Sequence, residues 1–440
     1  MNCDRLLQGK IPGFETGIEI KKSICTICDP MTQCGLNVYV KDGEIVKVEG
    51  SKEHPANEGT LCAKGAATRQ YVYSQDRLRT PLKRVGPRGS GKFEPISWDE
   101  ALDTIAGRLN QIKGEVGPES VVFYSGYSKW YRTFLQRLTH VFGSPNYLTE
   151  SSTCHNATHM AMRLNGTPGT PDFMNSQCLL VWSANPFHSR TCISRQILTA
   201  KEKGLKIITV DPRYTPMVAH SDLHLPVKPG TDGALALSMA NVIINEGLYD
   251  EDFVKKHTFG FEEYREYVQQ FAPDRGGKLT GVPADKIRAA AYLYAISKPS
   301  SIMPSASPVV HHTNGVQNYR AIFALMALTG NYDIYGGNIA DPPSFLYMAG
   351  GFKSRYEEFV HPHRWEEMAP RIGQDRFPVW AELVDEGQAM HLPVQIESQK
   401  PYPIKAMLSF GLNYRMWPDN AAFLESLQKL DFIANVDIFM

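Results

Sequence analysis

The fold is decided by residues 178–213, CLLVWSANPFHSRTCISRQILTAKEKGLKIITVDPR. An apolar strand opens this stretch, a helix over residues 189–203 follows, and a second strand over 206–210 closes it. Two strands joined by a helix of this length must be parallel, with a right-handed crossover. The polar residues Asn185, Asp211 and Arg213 fall at the carboxyl ends of the strands, where open α/β sheets bind ligands. Pro186 and Pro212 lie beside them.

A weaker copy of this pattern lies near the end of the chain. KAMLSFGLN (405–413) predicts a strand, a helical stretch follows at 421–430, and DFIANVDIF (431–439) predicts another strand. The chain stops at Met440 directly after it, so we expect a C-terminal portion to be missing. We interpret the copy as a second nucleotide-binding half, with these residues at its strand ends: Gly411, Asn413 and Asp437.

The composition is that of an ordinary globular protein. The 440 residues suggest about three domains, 42% are hydrophobic, and 46 basic residues balance 46 acidic ones. The zero formal net charge gives no electrostatic reason for a nucleic-acid or anionic-membrane partner. The sequence has neither an apolar run as long as a membrane span nor a secretory signal at its start, so we expect a cytoplasmic protein.

Four of the 8 cysteines follow the spacing C-x2-C-x5-C-x27-C: Cys25, Cys28, Cys34 and Cys62. Alternating runs joined by Lys41-Asp42-Gly43 predict a β-hairpin beside them, and therefore a small β-rich module. Four thiolates from one module can hold tetrahedral zinc or an iron–sulfur cluster. Three close cysteines and one distant cysteine favour the cluster, while zinc and unliganded structural cysteines stay open as alternatives.

Several longer motifs resemble the molybdopterin oxidoreductases, the dimethyl sulfoxide reductase superfamily. Together they span nearly the whole chain. One departure is that five residues, rather than the usual three, separate the second and third cysteines, which makes Cys34 the least secure ligand. The motifs are the cysteine run with LCAKG (61–65), FEPISWDEALDTIA (93–106), WSANP (182–186), ITVDPR (208–213), LPVKPGTDGALAL (225–237) and ALTGNYDIYGGN (327–338).

The resemblance implies an α/β protein with a small N-terminal β-rich iron–sulfur module, followed by doubly wound Rossmann-like α/β domains with a pseudo-twofold repeat. It also implies one 4Fe-4S cluster, and a molybdenum or tungsten ion held by two molybdopterin guanine dinucleotides. The expected domains are the cluster domain at 20–80, a cofactor and funnel domain at 81–175 with 335–400, a first dinucleotide-binding domain at 176–334, and the start of a second at 401–440.

Cofactor contacts are expected at the same motifs. A strand ending in Asn185 leaves an amide to hold a pyrophosphate or pterin edge, Asp211 is placed like a ribose-binding acid, and Arg213 could pair with a phosphate. The resemblance implies that Asp232, in Gly230-Thr231-Asp232, accepts both hydrogen bonds of a guanine edge, and that Lys64 lies between cluster and pterin. Taken singly, Asn-Pro and Asp-Pro are ordinary turn initiators, and Lys64 could be a solvated surface lysine.

The resemblance also assigns Cys154 to the metal, since members of the superfamily supply one Cys, selenocysteine, Ser or Asp from a loop at this point. A thiolate suits an ion that already binds dithiolene sulfurs. His155 follows it, as in formate dehydrogenases, and would relay a proton. The alternatives are a buried apolar cysteine and a loop histidine without a chemical role.

Asp29 suggests a different hypothesis for the chemistry. It directly follows the cluster ligand Cys28, and that pair resembles the acetylene hydratase branch of the superfamily, which performs no net redox chemistry. Burial beside an anionic cluster would raise the pKa of this carboxyl, and a protonated Asp29 could act as an acid. Asp-Pro also starts turns, so a structural role is the alternative.

Three functions remain open. The first is an oxidoreductase that acts on a small molecule at the metal and exchanges electrons through the cluster with a partner subunit or ferredoxin. The second is a hydratase-type lyase, and the third is a non-catalytic electron-transfer subunit, which the retention of Cys154 disfavours. The sequence does not place the substrate funnel, whose candidate residues are Tyr127, Trp130, His159 and Trp417. We expect four histidines in loops rather than in that funnel: His311, His312, His361 and His363.

Overall fold

The computed structural model describes residues 11–28, 33–128, 130–166, 169–305, 308–340 and 367–440. The chain divides into two units, the first made of Met1–Ser152 with Leu346–Met440 and the second of Thr153–Phe345. The first unit is therefore discontinuous in sequence, whereas the second is continuous.

The elements of the described residues are as follows in chain order. The strands are β1 (Glu19–Ile24), β2 (Gly35–Lys41), β3 (Glu44–Gly50), β4 (Leu82–Arg84), β5 (Phe93–Pro95), β6 (Val121–Ser125), β7 (Tyr147–Thr149), β8 (Thr170–Pro171), β9 (Cys178–Trp182), β10 (Lys206–Val210), β11 (Leu223–Leu225), β12 (Ser300–Pro304), β13 (Asn338–Ile339), β14 (Ala406–Phe410) and β15 (Phe432–Val436). The α-helices are α1 (Ala63–Ala66), α2 (Thr68–Val72), α3 (Trp98–Val116), α4 (Arg132–Phe142), α5 (Asn156–Leu164), α6 (Pro186–Ser189), α7 (Thr191–Glu202), α8 (Pro216–Ala219), α9 (Asp232–Asn245), α10 (Glu251–His257), α11 (Phe261–Tyr267), α12 (Pro273–Thr280), α13 (Ala284–Ile296), α14 (Gly315–Thr329), α15 (Pro378–Leu383), α16 (Leu392–Ser398) and α17 (Asn420–Leu427).

The N-terminal part of the first unit is an antiparallel sheet of β1, β2 and β3. Asp42 (φ 51°) and Gly43 (φ 80°) form the turn between β2 and β3, and both adopt the left-handed conformation that a tight hairpin needs. The predicted hairpin and the small β-rich module are confirmed. Because Ile24 pairs with Gly35, the end of β1 and the start of β2 lie at the same end of this sheet.

The rest of the first unit is built on a parallel sheet in the order β15-β14-β6-β7. Alternate residues of β6 face two helical layers: Val122 packs in the layer of α16 and α17, and Phe123 in that of α3 and α4. Helices on both faces make the sheet doubly wound, as the sequence predicts. The direction of strand addition reverses between β14 and β6, so the ligand-binding crevice of such a sheet falls there.

The second unit has its own parallel sheet, in the order β11-β10-β9-β12. Residues 178–210 form β9, α7 and β10, so the predicted β-α-β unit is confirmed. Leu180 packs in the layer of α9, α13 and α14, and its neighbour Leu179 in that of α7. The direction of strand addition reverses between β9 and β12, and the α/β class with two Rossmann-like sheets is confirmed. No helix in the described ranges is long and apolar enough to cross a membrane.

Candidate active site

The spaced cysteines lie on loops at one end of the β1–β3 sheet. The backbone N–H of Cys25, directly after β1, donates a hydrogen bond of 2.8 Å to the carbonyl of Cys34, directly before β2. Both thiols, like those of Cys28 and Cys62, are half-buried. The sheet therefore brings together the two ends of the cysteine loop, which are nine positions apart in sequence.

A buried amide connects the fourth cysteine to this loop. The Asn57 side chain accepts a hydrogen bond from the Gly35 N–H (2.8 Å) and donates to the carbonyls of Gly35 (3.2 Å) and Thr60 (2.8 Å). Thr60 lies two residues before Cys62, so Asn57 joins that segment to the residue that follows Cys34. Sequence reasoning missed Asn57; the available signal was a polar residue inside the Pro- and Gly-flanked loop HPANEG at 54–59.

The thiols influence one another electrostatically. Partial burial raises the pKa of the Cys25 thiol, the backbone N–H of Ile27 lowers it, Cys28 and Cys62 raise it further, and the Lys64 ammonium lowers it. Lys64 lies in α1, directly after the fourth cysteine, where the sequence predicts a cation beside the cluster. Thiols are the ligands that iron–sulfur clusters use, so the residue types fit such a cluster. The described residues do not bring three His, Cys, Asp or Glu side chains into a group that could hold a metal ion, so the fit is one of ligand type and not of ligand geometry.

Of the other residues proposed from sequence, one contacts the cysteine loop and three lie outside the described residues. Asp29, the acid of the hydratase hypothesis, lies outside the described residues, as do His361 and His363. The Trp130 indole N–H donates to the Thr26 carbonyl at 3.1 Å, so this funnel candidate contacts the cysteine loop.

Trp417 is a core residue. It is 7% exposed and packs between Tyr124 and Phe423, so it does not belong to an open funnel.

The second unit places polar residues at the carboxyl end of β9. Ser183 follows the strand with φ 53°, a strained conformation for a residue with a side chain. Asn185 then precedes α6, which begins at buried Pro186, yet the Asn185 side chain does not cap that helix. Among the residues that the structure describes, its Oδ1 atom is buried without a hydrogen-bond partner. A buried oxygen in this position calls for a donor from a ligand or a water, which fits a cofactor edge.

The end of β10 is a tight turn. The buried Asp211 carboxylate accepts a hydrogen bond of 2.8 Å from the Arg213 N–H, across Pro212, and His224 Nε2 lies 2.8 Å from the Asp211 carbonyl oxygen. The Arg213 side chain is 76% exposed, with its Nε atom 4.0 Å from the Asp211 carboxylate. The turn thus fixes the acid and leaves the guanidinium in solvent, where a phosphate could bind it.

Asp232 is the first residue of α9 and lies against the end of β9. Its Oδ1 atom accepts a hydrogen bond of 2.8 Å from the indole N–H of Trp182. Burial raises the pKa of the Asp232 carboxyl; Trp182, neighbouring backbone N–H groups and His312 oppose that rise. The preceding turn has Gly230 at φ 85° and a hydrogen bond of 2.7 Å from the Thr231 hydroxyl to the Lys228 carbonyl. The structure therefore brings Asp232 to the same sheet edge as Asn185.

Cys154 lies in the second unit, directly before α5, and its thiol is half-buried. The exposed ring of His155 stacks on that of His159 one helical turn later, with centroids 6.3 Å apart. His311 lies in a loop, as the sequence predicts, but its Nε2 atom is 2.8 Å from the carbonyl oxygen of Thr153, one residue before Cys154. Buried Tyr319 also interacts electrostatically with Cys154. Neither His311 nor Tyr319 was identified from sequence in this role, since both come from a segment some 150 residues away.

Two glycines lie close together in the first unit, at the point between β14 and β6 where the direction of strand addition reverses. A Cβ atom on Gly126 would lie 2.2 Å from the carbonyl oxygen of Gly411, which itself has φ 64°. Asn413 uses its side chain to accept from the Arg415 N–H at 3.1 Å, and Asp437 accepts from the Ile438 N–H at 2.7 Å. These three predicted cofactor residues, Gly411, Asn413 and Asp437, follow the carboxyl ends of adjacent parallel strands.

A largely buried arginine at the same edge was missed from sequence. The Arg132 guanidinium donates to the Gly126 carbonyl at 2.7 Å and to the Ser151 hydroxyl at 3.2 Å, and it forms an ion pair with Glu150. It thereby fixes the turn Glu150–Thr153, which directly precedes Cys154 in the chain.

These observations define the class: a protein with a small cysteine-rich β module and two Rossmann-like parallel sheets whose strand ends carry polar residues. The iron–sulfur domain of the molybdopterin oxidoreductases matches residues 18–74, and the molybdopterin oxidoreductase domain matches residues 77–440. The chain belongs to the molybdopterin oxidoreductase family.

Named relatives differ in what they do. Acetylene hydratase of Syntrophotalea acetylenica is 32% identical over 96% of this chain and 60% of that protein. Formate dehydrogenase H of Escherichia coli is 34% identical over 70% of this chain and 45% of its own length. The molybdopterin-containing subunit of Salmonella typhimurium thiosulfate reductase is 29% identical over 99% of this chain and 58% of its own length. Among solved structures, acetylene hydratase from Pelobacter acetylenicus superposes with a TM-score of 0.81, at 28% identity, over 96% of this chain and 61% of that one. The chain thus spans about half to three fifths of the length of these relatives.

Proposed function

We propose that this protein is a molybdenum- or tungsten-dependent oxidoreductase with a bis-molybdopterin guanine dinucleotide cofactor and one 4Fe-4S cluster. The observation that carries the proposal is the placement of the spaced cysteines on loops beside one small sheet. The Cys25 N–H bonds to the Cys34 carbonyl there, and Asn57 joins the segment before Cys62 to Gly35. A structural zinc knuckle would not explain the polar residues at the strand ends of both units, whereas a pterin dinucleotide would use them.

Each residue has a specific task in this proposal. The four spaced cysteines hold the cluster, Cys154 binds the metal, and the pterin cofactor when bound supplies two-electron exchange with a small substrate. Lys64 places positive charge beside the cluster, which stabilises its more negative, reduced form. His155 stands exposed next to Cys154 and takes up or releases the substrate proton.

The nucleotide contacts divide between the two units. Asn185, Asp211, Arg213 and Asp232 serve one dinucleotide from the second unit, with Pro186, Pro212, Gly230 and Thr231 shaping their turns. Gly411, Asn413 and Asp437 serve the other from the first unit. The cluster, when bound, would exchange electrons with a partner subunit or ferredoxin, and we place the enzyme in the cytoplasm.

The proposal is tested on protein purified under anaerobic conditions. We expect iron, molybdenum or tungsten, and a guanine-containing pterin to copurify, and a viologen dye to report turnover with formate or thiosulfate as trial substrates. Protein without pterin and without either heavy metal would contradict the proposal, and it would leave the non-catalytic electron-transfer subunit as the better description.

A second candidate is favoured by the acetylene hydratase structure, which superposes over almost the whole chain. In this case Asp29 would supply the acid for adding water to an alkyne, and the reaction would need no net electron transfer. Acetaldehyde formation from acetylene, measured beside the dye assays, separates the two functions. If acetaldehyde forms, the variant Asp29→Asn should abolish its formation while the metal content stays that of the wild type; unchanged acetaldehyde formation would rule out this role of Asp29.

A further inference from the structure

The Trp182–Asp232 hydrogen bond joins two sequence motifs that each lie at the proposed nucleotide site. Trp182 is the last residue of β9 and is fully buried, and Asp232 is 4% exposed. The indole N–H can only donate a hydrogen bond, so the Asp232 Oδ1 atom must act as the acceptor. The adjoining turn residues Lys228 to Gly230 are exposed, so this carboxyl lies two residues beyond a turn that solvent reaches.

The helix that carries Asp232 is fixed from the opposite side. The Gly233 N–H donates to Asn318 Oδ1 at 3.2 Å, and a Cβ atom on Gly233 would lie only 2.5 Å from that oxygen. Asn318 in turn contacts the His312 ring, with 2.6 Å between Nδ2 and Nε2. The Asp232 carboxyl therefore has a set position and is surrounded by N–H groups rather than by acceptors.

The hydrogen-bond pattern of a carboxyl decides which base it can bind. An ionised carboxylate offers two acceptors, which match the N1–H and N2–H donors on the Watson–Crick edge of guanine. A protonated carboxyl or an amide offers one acceptor and one donor, which match the paired donor and acceptor on the edges of adenine and cytosine.

We propose that Trp182 is a specificity-determining positioning residue for the nucleotide half of the cofactor. Its indole N–H holds the Asp232 carboxyl in the acceptor-only arrangement that selects a guanine base over adenine and cytosine. The inference deepens the proposed function and rests on it. The electrostatics of the site agree with this role, because Trp182 and His312 both lower the pKa of the Asp232 carboxyl and so favour its charged form.

The test measures base selectivity on the full chain, prepared without cofactor in a host that cannot make molybdopterin. Equilibrium dialysis with GMP, AMP and CMP gives the affinity ratios for the wild type and for Trp182→Phe. We expect the wild type to prefer GMP and the variant to lose about tenfold in GMP affinity, because a hydrogen bond to a charged group is removed. Affinities for AMP and CMP should change much less, so the preference for GMP over AMP and CMP should become smaller.

Trp380→Phe is the matched control. Trp380 is also a buried tryptophan, 5% exposed, and its indole N–H donates to a backbone carbonyl, that of Glu386, at 2.9 Å. The same loss of packing and of one hydrogen bond should leave the ratio of GMP to CMP affinity unchanged.

Asp232→Asn provides an independent test that keeps Trp182. The amide oxygen can still accept from the indole, and the amide nitrogen then presents a donor, so the preference should move from GMP towards CMP and AMP. A folded Trp182→Phe protein with wild-type GMP preference would overturn the inference. If that variant does not fold, Asp232→Asn decides, and retention of the GMP preference there would also overturn it. A wild-type protein that does not prefer GMP would also overturn the inference. The proposed function fails by a different result, namely that protein purified from a host able to make molybdopterin contains no pterin.

Discussion

Asn57 holds Gly35 by both of its backbone polar groups, although the two residues lie 22 positions apart. Gly35 follows Cys34, and the third hydrogen bond of the same amide reaches Thr60, before Cys62. One neutral side chain thus sets the spacing between two proposed cluster ligands. Its importance comes from its burial, since a buried amide that loses its partners leaves unsatisfied groups behind.

We expect Asn57→Ala to lower the iron content of the anaerobically purified protein. The substitution leaves the Gly35 N–H and the Thr60 carbonyl without this partner, at a cost of about 1–3 kcal/mol for each group that stays buried, whereas the Gly35 carbonyl keeps the Ser51 N–H at 2.8 Å. Iron and acid-labile sulfide per chain provide the measurement. Asn245→Ala is the control, since Asn245 bonds only to Gln269 at the surface in the described residues, and it should keep its iron. Iron at the wild-type level in both variants would show that Asn57 is not needed for cluster binding.

Replacement of Lys64 should shift the reduction potential of the cluster. Loss of the cation in Lys64→Ala destabilises the reduced cluster, so the potential should fall by an amount on the order of tens of millivolts. Lys64→Arg keeps the charge and should restore most of the potential. An anaerobic redox titration followed by electron paramagnetic resonance gives the values, and an unchanged potential in Lys64→Ala would show that the ammonium lies too far from the cluster to matter.

Cys154→Ala should abolish turnover while the cluster remains. Outer-shell partners of metal ligands already change activity by about 10- to 100-fold, so loss of the ligand itself should cost at least about a hundredfold. Dye-linked turnover and iron content are measured side by side. Cys192→Ala removes a thiol that is buried (3% exposed) and has no proposed role at the metal, and turnover per bound metal should stay near that of the wild type. Equal losses in both variants would point to folding rather than ligation.

Gly126→Ala should disrupt the carboxyl edge of the first unit. The new methyl group would meet the backbone oxygen of Gly411 at 2.2 Å, and a backbone atom between two parallel strands cannot move aside as a flexible side chain would. We expect a loss of about 1–3 kcal/mol in unfolding free energy together with reduced pterin content. Gly107→Ala, in α3 with open space around the Cβ position, should be neutral or stabilising. A Gly126→Ala protein as stable as Gly107→Ala would contradict the close approach.

Asp250 should make stability depend on pH. It caps α10 by accepting from the Phe253 N–H at 2.9 Å, and that bond, with Lys298 at 3.3 Å, holds the pKa of its carboxyl below its usual range. A lowered pKa means that the stabilisation is complete above the unfolded-state value, near pH 4, and is lost as the pH falls through the folded-state value. Asp250→Ala should cost about 1 kcal/mol at neutral pH, with a difference that shrinks in acid.

Urea unfolding at a series of pH values, followed by circular dichroism, measures this difference. Asp250→Asn serves as the comparison, because an asparagine can still cap the helix but carries no charge. A difference between wild type and Asp250→Ala that stays constant down to the most acidic pH would show that the charge of Asp250 does not contribute.

The local elements could be predicted from sequence because local pattern determines them. The apolar run at 178–182, the stop at Gly204 and the Asp-Gly turn at 42–43 each specify their structure within a few residues, and the structure agrees. Asn57, Arg132 and the Trp182–Asp232 pair could not be predicted in the same way. They join segments from 18 to 50 positions apart through single side chains, and such contacts leave no periodicity in the sequence.

The discontinuity of the first unit has a consequence for biosynthesis. On the ribosome, β6 and β7 emerge long before β14, which pairs with β6 to complete their sheet. At typical rates of 5–20 residues per second, the 256 residues between Thr149 and Ala406 take roughly 10 to 50 s to synthesise. The second unit, whose chain is uninterrupted, can collapse during that wait, whereas the nascent β6 edge stays open to wrong pairing. Chaperone protection of that edge and insertion of the pterin only after β14 has been made would then be steps of one maturation schedule.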